Sequence, residues 1–579
     1  MGNVLVWGKR IRCFELVGLL ASGVLLTLIQ PPFHLSLLAW VAYVPFILVA
    51  VSIEKIWAGV LAAYILGLVY WLGNIYWMSF VTVSGWVAFC AWTALLWPVL
   101  IITLRFCKEK KIPLMIAAAV LIVGIERLQG FLLGGFYWRH LSHSQYANIT
   151  LIQIADIFGA AGLSFLIAMV NGLVAELIVA VKNKSLLRRI NFIKVAVVIA
   201  LLAGTILYGR WRIEQSKTTI KTGPVVGVVQ SNLPQSVKSS DEFEVTKEVF
   251  AELLGLSRNC SAAGAKLVVW PETIVPVIMD KAVWPFLYEP ENNIYFHKAL
   301  GEHTSEGVYV LVGAPGGEVV YLNEFDVALK KFNSAFLYEP DGDQALVKYN
   351  KIHLVPFGEI VPFKQSAPWL YRFLMMFSPY DFDYNLTPGD EYTVFEIEVA
   401  ENSLNNGYRF GVMICYEGVV PHIARQFING RGGKGVDWLV NISNDGWFVR
   451  FKEGKTLAST ELAQHTISCV FRAVENRISV LRSVNTGISC LIDPAGRIKN
   501  GYGAGNLPEK ALARKAVEGW FTDSVPIDSR VSIFSRFGEW LDTGCEGAVL
   551  AVLILLLGRR FVRKKRYTGE QNGRKQKNK

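Results

Sequence analysis

Three stretches in the second half of the chain each carry a side chain suited to acyl transfer. "KLVVWPET" carries Glu272, "LVKYNKIHLVPFGEIVP" carries Lys351 and Glu359, and "RFGVMICYEG" carries Cys415. A thiol can attack an acyl carbonyl and keep the acyl group as a thioester. A carboxylate beside it can take the thiol proton and later return it to a leaving group. An ammonium can stabilise both the thiolate and the oxyanion of the tetrahedral intermediate. These types suit Cys415 as nucleophile, Glu272 as proton acceptor and Lys351 as the stabilising cation. The backbone N–H of Tyr416 supplies a second oxyanion donor in this scheme. A helix starting near Gly418 and Val419 would lower the thiol pKa through its dipole. Singly, each residue has a blander reading. A cysteine ending an apolar run is usually core, Glu272 could be a helix N-terminal carboxylate, and Lys351 a loop cation. What joins them is their shared position near strand ends.

The elements that must position them are short β-branched runs broken by turns and helical stretches. Residues 225–231, 266–270, 308–314, 334–340, 409–415, 436–443 and 478–484 read as strands, and 244–258 and 456–477 as helices. Several runs are apolar throughout, as strands buried on both faces are. The expectation is an α/β domain over 216–535 whose strand C-termini open on one rim and bring the three side chains together.

The rest of the chain is a membrane protein. Hydrophobic residues make up 52% and the mean hydropathy is +0.35, too apolar for an ordinary soluble chain. The net charge of +11 does not point to nucleic acid, because +9 of it lies between Arg559 and Lys579, where ten Lys and Arg face one Glu. A basic block directly after an apolar segment reads as a cytoplasmic anchor. The eight cysteines show no CxxC pair and no regular spacing, so neither a zinc site nor a disulfide framework is suggested, and no metal is expected.

Seven spans are expected before residue 216, at 13–30, 35–53, 56–79, 84–106, 113–130, 151–181 and 190–209, and an eighth at 547–562. Residues 131–150 read as an interfacial loop. No cleavage site follows the first span, which is therefore read as a retained helix. Lys and Arg concentrate on alternate connections, so the positive-inside rule puts both termini in the cytoplasm and 216–535 on the outer side. The expected division is a seven-helix membrane domain (1–215), a catalytic domain (216–535) and a last helix with its basic tail (536–579).

The context of the three side chains resembles the nitrilase superfamily, whose Glu–Lys–Cys triad matches Glu272, Lys351 and Cys415 in order. The fuller pattern is similar to that of the bacterial apolipoprotein N-acyltransferases. It includes "GVVQSNLPQ" (227–235), "VVWPET" (268–273), "KYNKIHLVPFGEIVPF" (348–363), "GVMICYEGVVP" (411–421), "NISNDGWF" (441–448), "RAVENR" (472–477) and "RSVNTGIS" (482–489). In the membrane half, "GGFYWRHLSHSQY" and "IADIFGAAGLSFL" match as well. The resemblance implies an αββα sandwich joined to a multi-pass helical domain in the bacterial inner membrane, with the sandwich on the periplasmic face. It implies a cofactor-free monomer that takes an acyl chain from a phospholipid onto Cys415. The acyl group then passes to the α-amino group of a diacylglyceryl-cysteine at an apolipoprotein N-terminus. Glu359 matches a second glutamate, a partner for Lys351, and Tyr416 and Glu417 match residues that shape the site behind the nucleophile; Glu417 could equally be a structural acceptor. The chain departs from the pattern at Ser239 and Ser240, where an aromatic is expected, at Gly446, and in the segment 449–465.

Lipid-anchored substrates require a site that opens towards the bilayer. The segment 367–382 is too apolar for an open loop and reads as a lid, with Trp369, Leu370 and Phe373 as its contacts to the acyl chain; 282–290 is a second candidate flap. Two other readings use the same residues differently. A membrane-tethered amidase or hydrolase would share the triad and use water as acceptor. A transporter or scaffold with an inactive outer domain would need functional charges along its spans, and few stand there, chiefly Glu126, Arg127, Asp156 and Glu176.

Overall fold

The computed structural model describes residues 3–577 except 7–8, 132–133, 236–242, 324–325, 381, 402–403, 431–432 and 453–454. The departure at Ser239 and Ser240 lies outside the described residues.

Residues 220–528 form two stacked sheets. One has seven strands in the spatial order Ala504–Gly505, Gly519–Asp528, Ile220–Gln230, Leu267–Val269, Tyr309–Tyr321, Val327–Tyr338, Gln344–Asn350. The other has five, in the order Cys490–Ile492, Ser479–Val484, Trp438–Ser443, Leu404–Ile414, Val394–Glu401. Strand residues alternate between faces. Val226, Val228, Leu267, Val269 and Leu311 therefore pack in one cluster with Val412, Ile414, Val440 and Ile442 of the second sheet. Their neighbours Val229, Val268, Val310 and Val312 face Phe250, Leu253, Phe296 and Leu300 of the helices Phe243–Ala262 and Pro290–Thr304. The helices Pro421–Ile428 and Glu461–Asn476 cover the far side of the second sheet. The layering is the expected αββα sandwich. Ser483, on the second sheet, stitches the layers by reaching the carbonyls of Val229 and Val269, each at 3.0 Å.

In the membrane half, six helices of the described residues are long and apolar enough to cross a bilayer: Ile56–Asn74, Val83–Glu109, Leu114–Phe131, Ala160–Lys182, Arg189–Thr219 and Trp540–Arg559. Phe14–Leu28 and Ser36–Ser52, two of the expected spans, are shorter. The span expected at 151–181 is broken. Two short helices, Ile149–Ile152 and Ala155–Phe158, precede Ala160–Lys182, and Gly159 turns the corner at φ +66. A Cβ there would stand 2.7 Å from the Phe534 ring, so the corner needs glycine twice over. The last helix begins at Trp540, seven residues before the expected start, because the polar turn 540–546 is already helical. Helix Arg189–Thr219 passes into the strand Ile220–Gln230 with no turn between them.

Much of the connection read as an interfacial loop (131–150) is buried inside the protein. Phe136, Tyr137, Trp138, Arg139 and Leu141 to Gln145 are buried between the two halves. A second joint is Asp156, fully buried. Its Oδ2 accepts from Arg477 (2.6 and 2.9 Å), just past the helix Glu461–Asn476, and from Arg212 (2.7 and 2.8 Å), and its Oδ1 accepts from the Tyr208 hydroxyl.

Candidate active site

Glu272 follows the short central strand Leu267–Val269, which is too apolar to end anywhere but in the core, and the chain turns away with Thr273 at φ +42. Gly313 on the neighbouring strand makes this possible, since a Cβ there would lie 2.5 Å from the Pro271 carbonyl oxygen and 2.6 Å from the Glu272 Cα. Lys351 follows the edge strand Gln344–Asn350, and its backbone N–H is tied to the Asn333 carbonyl at 2.8 Å. Its side chain is 1% exposed.

There the ammonium meets two carboxylates. Lys351 Nζ lies 2.8 and 2.9 Å from the two oxygens of Glu359 and 3.4 Å from Glu272 Oε1. Burial disfavours the ammonium charge, but Glu359 and Glu272 outweigh it and raise the pKa above the ordinary lysine value. Asn333 Nδ2 donates to Glu272 Oε1 at 2.7 Å and to Glu359 Oε1 at 2.8 Å, fixing the carboxylates relative to one another. The Asn444 N–H donates to Glu272 Oε2 at 2.8 Å, and the Val355 N–H to Glu359 Oε2 at 2.8 Å. Sequence reasoning missed Asn333, which stands with Ser334 between the apolar Phe332 and the run "AFLY".

Cys415 stands directly after the strand Leu404–Ile414, at φ +52, a backbone region that non-glycine residues rarely occupy and that recurs at functional turns. Burial and the Glu272 and Asp445 charges push its thiol well up, with the Lys351 ammonium opposing them. The thiol is therefore held protonated, and Glu272 and Asp445 are the carboxylates whose charge acts on it. The expected helix dipole is not what acts here. Cys415–Gly418 is a single 3₁₀ turn, and the α-helix begins only at Pro421, whose ring favours the first helical turn.

Glu417 is a structural acceptor. Its Oε1 receives the N–H groups of Ile352 (2.8 Å) and His353 (2.9 Å), its Oε2 that of Ile414 (2.7 Å), and the Tyr349 hydroxyl lies 2.9 and 3.0 Å from the two oxygens. One carboxyl thus ties the residue before Cys415 to the residues after Lys351. Tyr416 turns its ring out of the site; its hydroxyl donates to the Gly135 carbonyl at 2.8 Å, and the ring lies 6.2 Å from Trp138 and 5.7 Å from His353. The buried membrane-half connection is therefore the wall behind the nucleophile.

The lid residues form a separate group. Trp369 and Phe373, on the short helix Pro368–Met375, are 69% and 51% exposed, and Leu370 is half-buried. The helix is moored at its end, where the carbonyls of Met376 and Phe377 accept from Ser84 and Thr82 of the membrane half. Among the described residues, no hydrogen bond or ring contact joins the three to the Glu272–Lys351 cluster.

Behind the site, Asp445, Glu461 and His465 each bring a donor atom within 4.8 Å of the others, a spacing that could hold a metal ion. Asp445 has protein partners of its own there. Ser443 Oγ lies 2.7 Å from Asp445 Oδ1 and Arg482 NH2 lies 3.5 Å from Asp445 Oδ2. The segment 449–465 pairs Val449–Lys452 with Lys455–Ala458 before the helix that carries His465.

Residues 22–173 match the apolipoprotein N-acyltransferase N-terminal domain, and residues 226–509 match the carbon-nitrogen hydrolase family. The chain is 31% identical to an apolipoprotein N-acyltransferase of Geobacter metallireducens, over 93% of this chain and 95% of that protein. It is 27% identical to one of Bradyrhizobium diazoefficiens, over 80% of this chain and 76% of the relative. An amidase of the nitrilase superfamily from Nesterenkonia is similar over 56% of this chain and 96% of its own, at 13% identity and a TM-score of 0.34.

Proposed function

This chain belongs to the apolipoprotein N-acyltransferase family and is a membrane acyltransferase of lipoprotein N-acylation, and from that premise we propose that it works through a thioester on Cys415 loaded from a phospholipid. The observation that carries the proposal is the buried Lys351 ammonium, held by Glu272 and Glu359 on the rim where Cys415 ends its strand.

Glu272 takes the thiol proton as Cys415 attacks the ester carbonyl carbon of the phospholipid. The oxyanion forms beside Lys351 and the Tyr416 N–H. As the C–O bond breaks, Glu272 returns the proton to the departing lysophospholipid oxygen, leaving an acyl-thioester. The α-amino group of the acceptor's diacylglyceryl-cysteine then attacks the thioester carbonyl. Its lost proton passes through Glu272 to the leaving Cys415 sulfur, and an amide is formed. Glu359 keeps Lys351 charged and aimed, and Glu417 holds the two backbone segments in register.

Both substrates are amphiphiles, which suits the exposed apolar helix Pro368–Met375 as a lid dipping into the outer leaflet. In this reading Trp369, Leu370 and Phe373 cover the acyl chain and keep water from the thioester. The catalytic domain faces the periplasm, both termini the cytoplasm, and a single chain carries the whole site.

Purified protein incubated with a phospholipid labelled in its sn-1 chain gains one acyl mass on Cys415, seen by intact mass and peptide mapping. A diacylglyceryl-cysteine peptide discharges it faster than water does. No adduct in the wild type, or an adduct retained in Cys415→Ala, sinks the mechanism. Equal discharge by water and peptide turns the assignment to a hydrolase.

A further inference from the structure

Cys415 is held from behind by two side chains that the acyl-transfer scheme does not use. Its carbonyl oxygen accepts from Asn441 Nδ2 at 3.1 Å and from His465 Nε2 at 3.1 Å. A carbonyl oxygen only accepts, so His465 Nε2 must carry its proton. Both donors are themselves fixed. Arg482 NH1 donates to Asn441 Oδ1 at 2.6 Å, which turns the amide nitrogen towards Cys415 and Met413. His465 Nδ1 lies 3.2 Å from Asp445 Oδ1 and 3.5 Å from Glu461 Oε1, and the Trp138 ring stands edge-on to the imidazole at 5.7 Å. His465, Asn441, Asp445, Glu461 and Arg482 are all almost completely buried.

The peptide unit joining Cys415 to Tyr416 is planar and trans, so its C=O and N–H point in opposite directions. Fixing the oxygen from the helix side fixes where the Tyr416 N–H points. Hydrogen bonds accepted at the oxygen also polarise the same unit and strengthen donation from its N–H. A residue at φ +52 has nearby lower-energy conformations in which this plane rotates. We propose that His465 is a positioning residue for acyl transfer: by holding the Cys415 carbonyl, it aims the Tyr416 N–H at the oxyanion. The inference rests on the thioester mechanism above. It assigns His465 a role in forming the tetrahedral intermediate and none in making the thiol reactive.

The same turn serves both partners of the proton transfer. Ser443, Asn444 and Asp445 are consecutive; Asn444 donates to Glu272, while Asp445 faces His465. Movement of this turn would disturb the base and the nucleophile's peptide together.

The test uses the full-length protein in detergent micelles containing phospholipid, and compares two reactions of Cys415. Acylation by phospholipid passes through an oxyanion; alkylation by iodoacetamide does not. His465→Leu removes the donor at nearly constant volume, and His465→Gln places an amide nitrogen near the Nε2 position. The expected results are a tenfold to hundredfold slower acylation in His465→Leu, about the lower range for loss of an oxyanion donor, alkylation within about threefold of wild type, and acylation restored to within about fivefold in His465→Gln. Wild-type acylation rates in His465→Leu overturn the inference. So does an equal loss of alkylation and acylation, which marks a merely structural role, and so does a Gln variant no faster than Leu. If His465→Leu does not fold, His465→Asn replaces it, since its amide nitrogen falls near Nδ1 and short of the carbonyl; Asn and Gln variants acylating equally well overturn the inference. Failure of the wild type to form any thioester overturns the mechanism, and the inference with it.

Discussion

Glu417 lends itself to a quantitative test because every lone pair it uses is accounted for. Replacing it with Gln exchanges one acceptor oxygen for an NH2 group. Placed at Oε1, that group would face the N–H groups of Ile352 and His353. Placed at Oε2, it faces only the Ile414 N–H, and the Tyr349 hydroxyl can rotate to accept from it. The second placement is the cheaper, and it orphans one buried N–H, which costs about 1–3 kcal/mol. Glu417→Ala orphans all three N–H groups and the Tyr349 hydroxyl, so its loss should exceed about 4 kcal/mol even if water partly enters. The two substitutions are separated by denaturant titration of the detergent-solubilised protein, followed by tryptophan fluorescence. Acylation of Cys415 is measured on the folded fraction. The Gln variant should fold, lose about 1–3 kcal/mol and acylate at least tenfold more slowly, because Ile414 directly precedes Cys415 and Ile352 directly follows Lys351. Gln and Ala variants of equal stability would refute the donor count. A Gln variant with wild-type stability and rate would refute the view that this carboxyl sets the register of the site.

Three further outcomes follow from the same geometry. The Glu272 charge raises the thiol pKa of Cys415, so Glu272→Gln should move iodoacetamide alkylation of Cys415 to lower pH while abolishing acylation; a shift to higher pH contradicts the placement. Asp156→Asn leaves the buried Arg477 and Arg212 without their carboxylate and should cost about 3–5 kcal/mol, read by the same titration; a loss under about 1 kcal/mol means the joint is not what holds the two halves. Changing Trp369, Leu370 and Phe373 together to Ser should slow acylation by long-chain phospholipid at least tenfold while leaving alkylation of Cys415 unchanged, and an unchanged acylation rate removes the lid.

The parts of the fold legible in the sequence were those whose burial is complete. The strands around 267–269, 438–443 and 479–484 are buried on both faces and mostly apolar, and they stand out as runs. Strands such as Val394–Glu401, "VFEIEVAE", and Gly519–Asp528 lie nearer sheet edges and mix charge with apolar residues, and they left no run to read. Glu272, Lys351 and Cys415 could be read because motif context surrounds each of them. Asn333 and His465 could not, since their partners lie 61 and 50 positions away and only the fold supplies the spacing. The misplaced helix after Cys415 had an available signal in Pro421, a residue that favours the first turn of a helix over its interior. The broken span at 151–181 had one in the Gly159 that turns it.

The unbroken passage from helix Arg189–Thr219 into strand Ile220–Gln230 makes one rod of a bilayer span and a strand of the catalytic sheet. At about 1.5 Å per residue the helix is roughly 46 Å long, against a hydrocarbon core of about 30 Å. About 16 Å of helix is therefore left over beyond the hydrocarbon core, and the sheet is joined to that excess with no loop between them. A change in bilayer thickness that tilts this helix would therefore be felt by the strand it continues into and by the joints at Asp156 and 134–146 together.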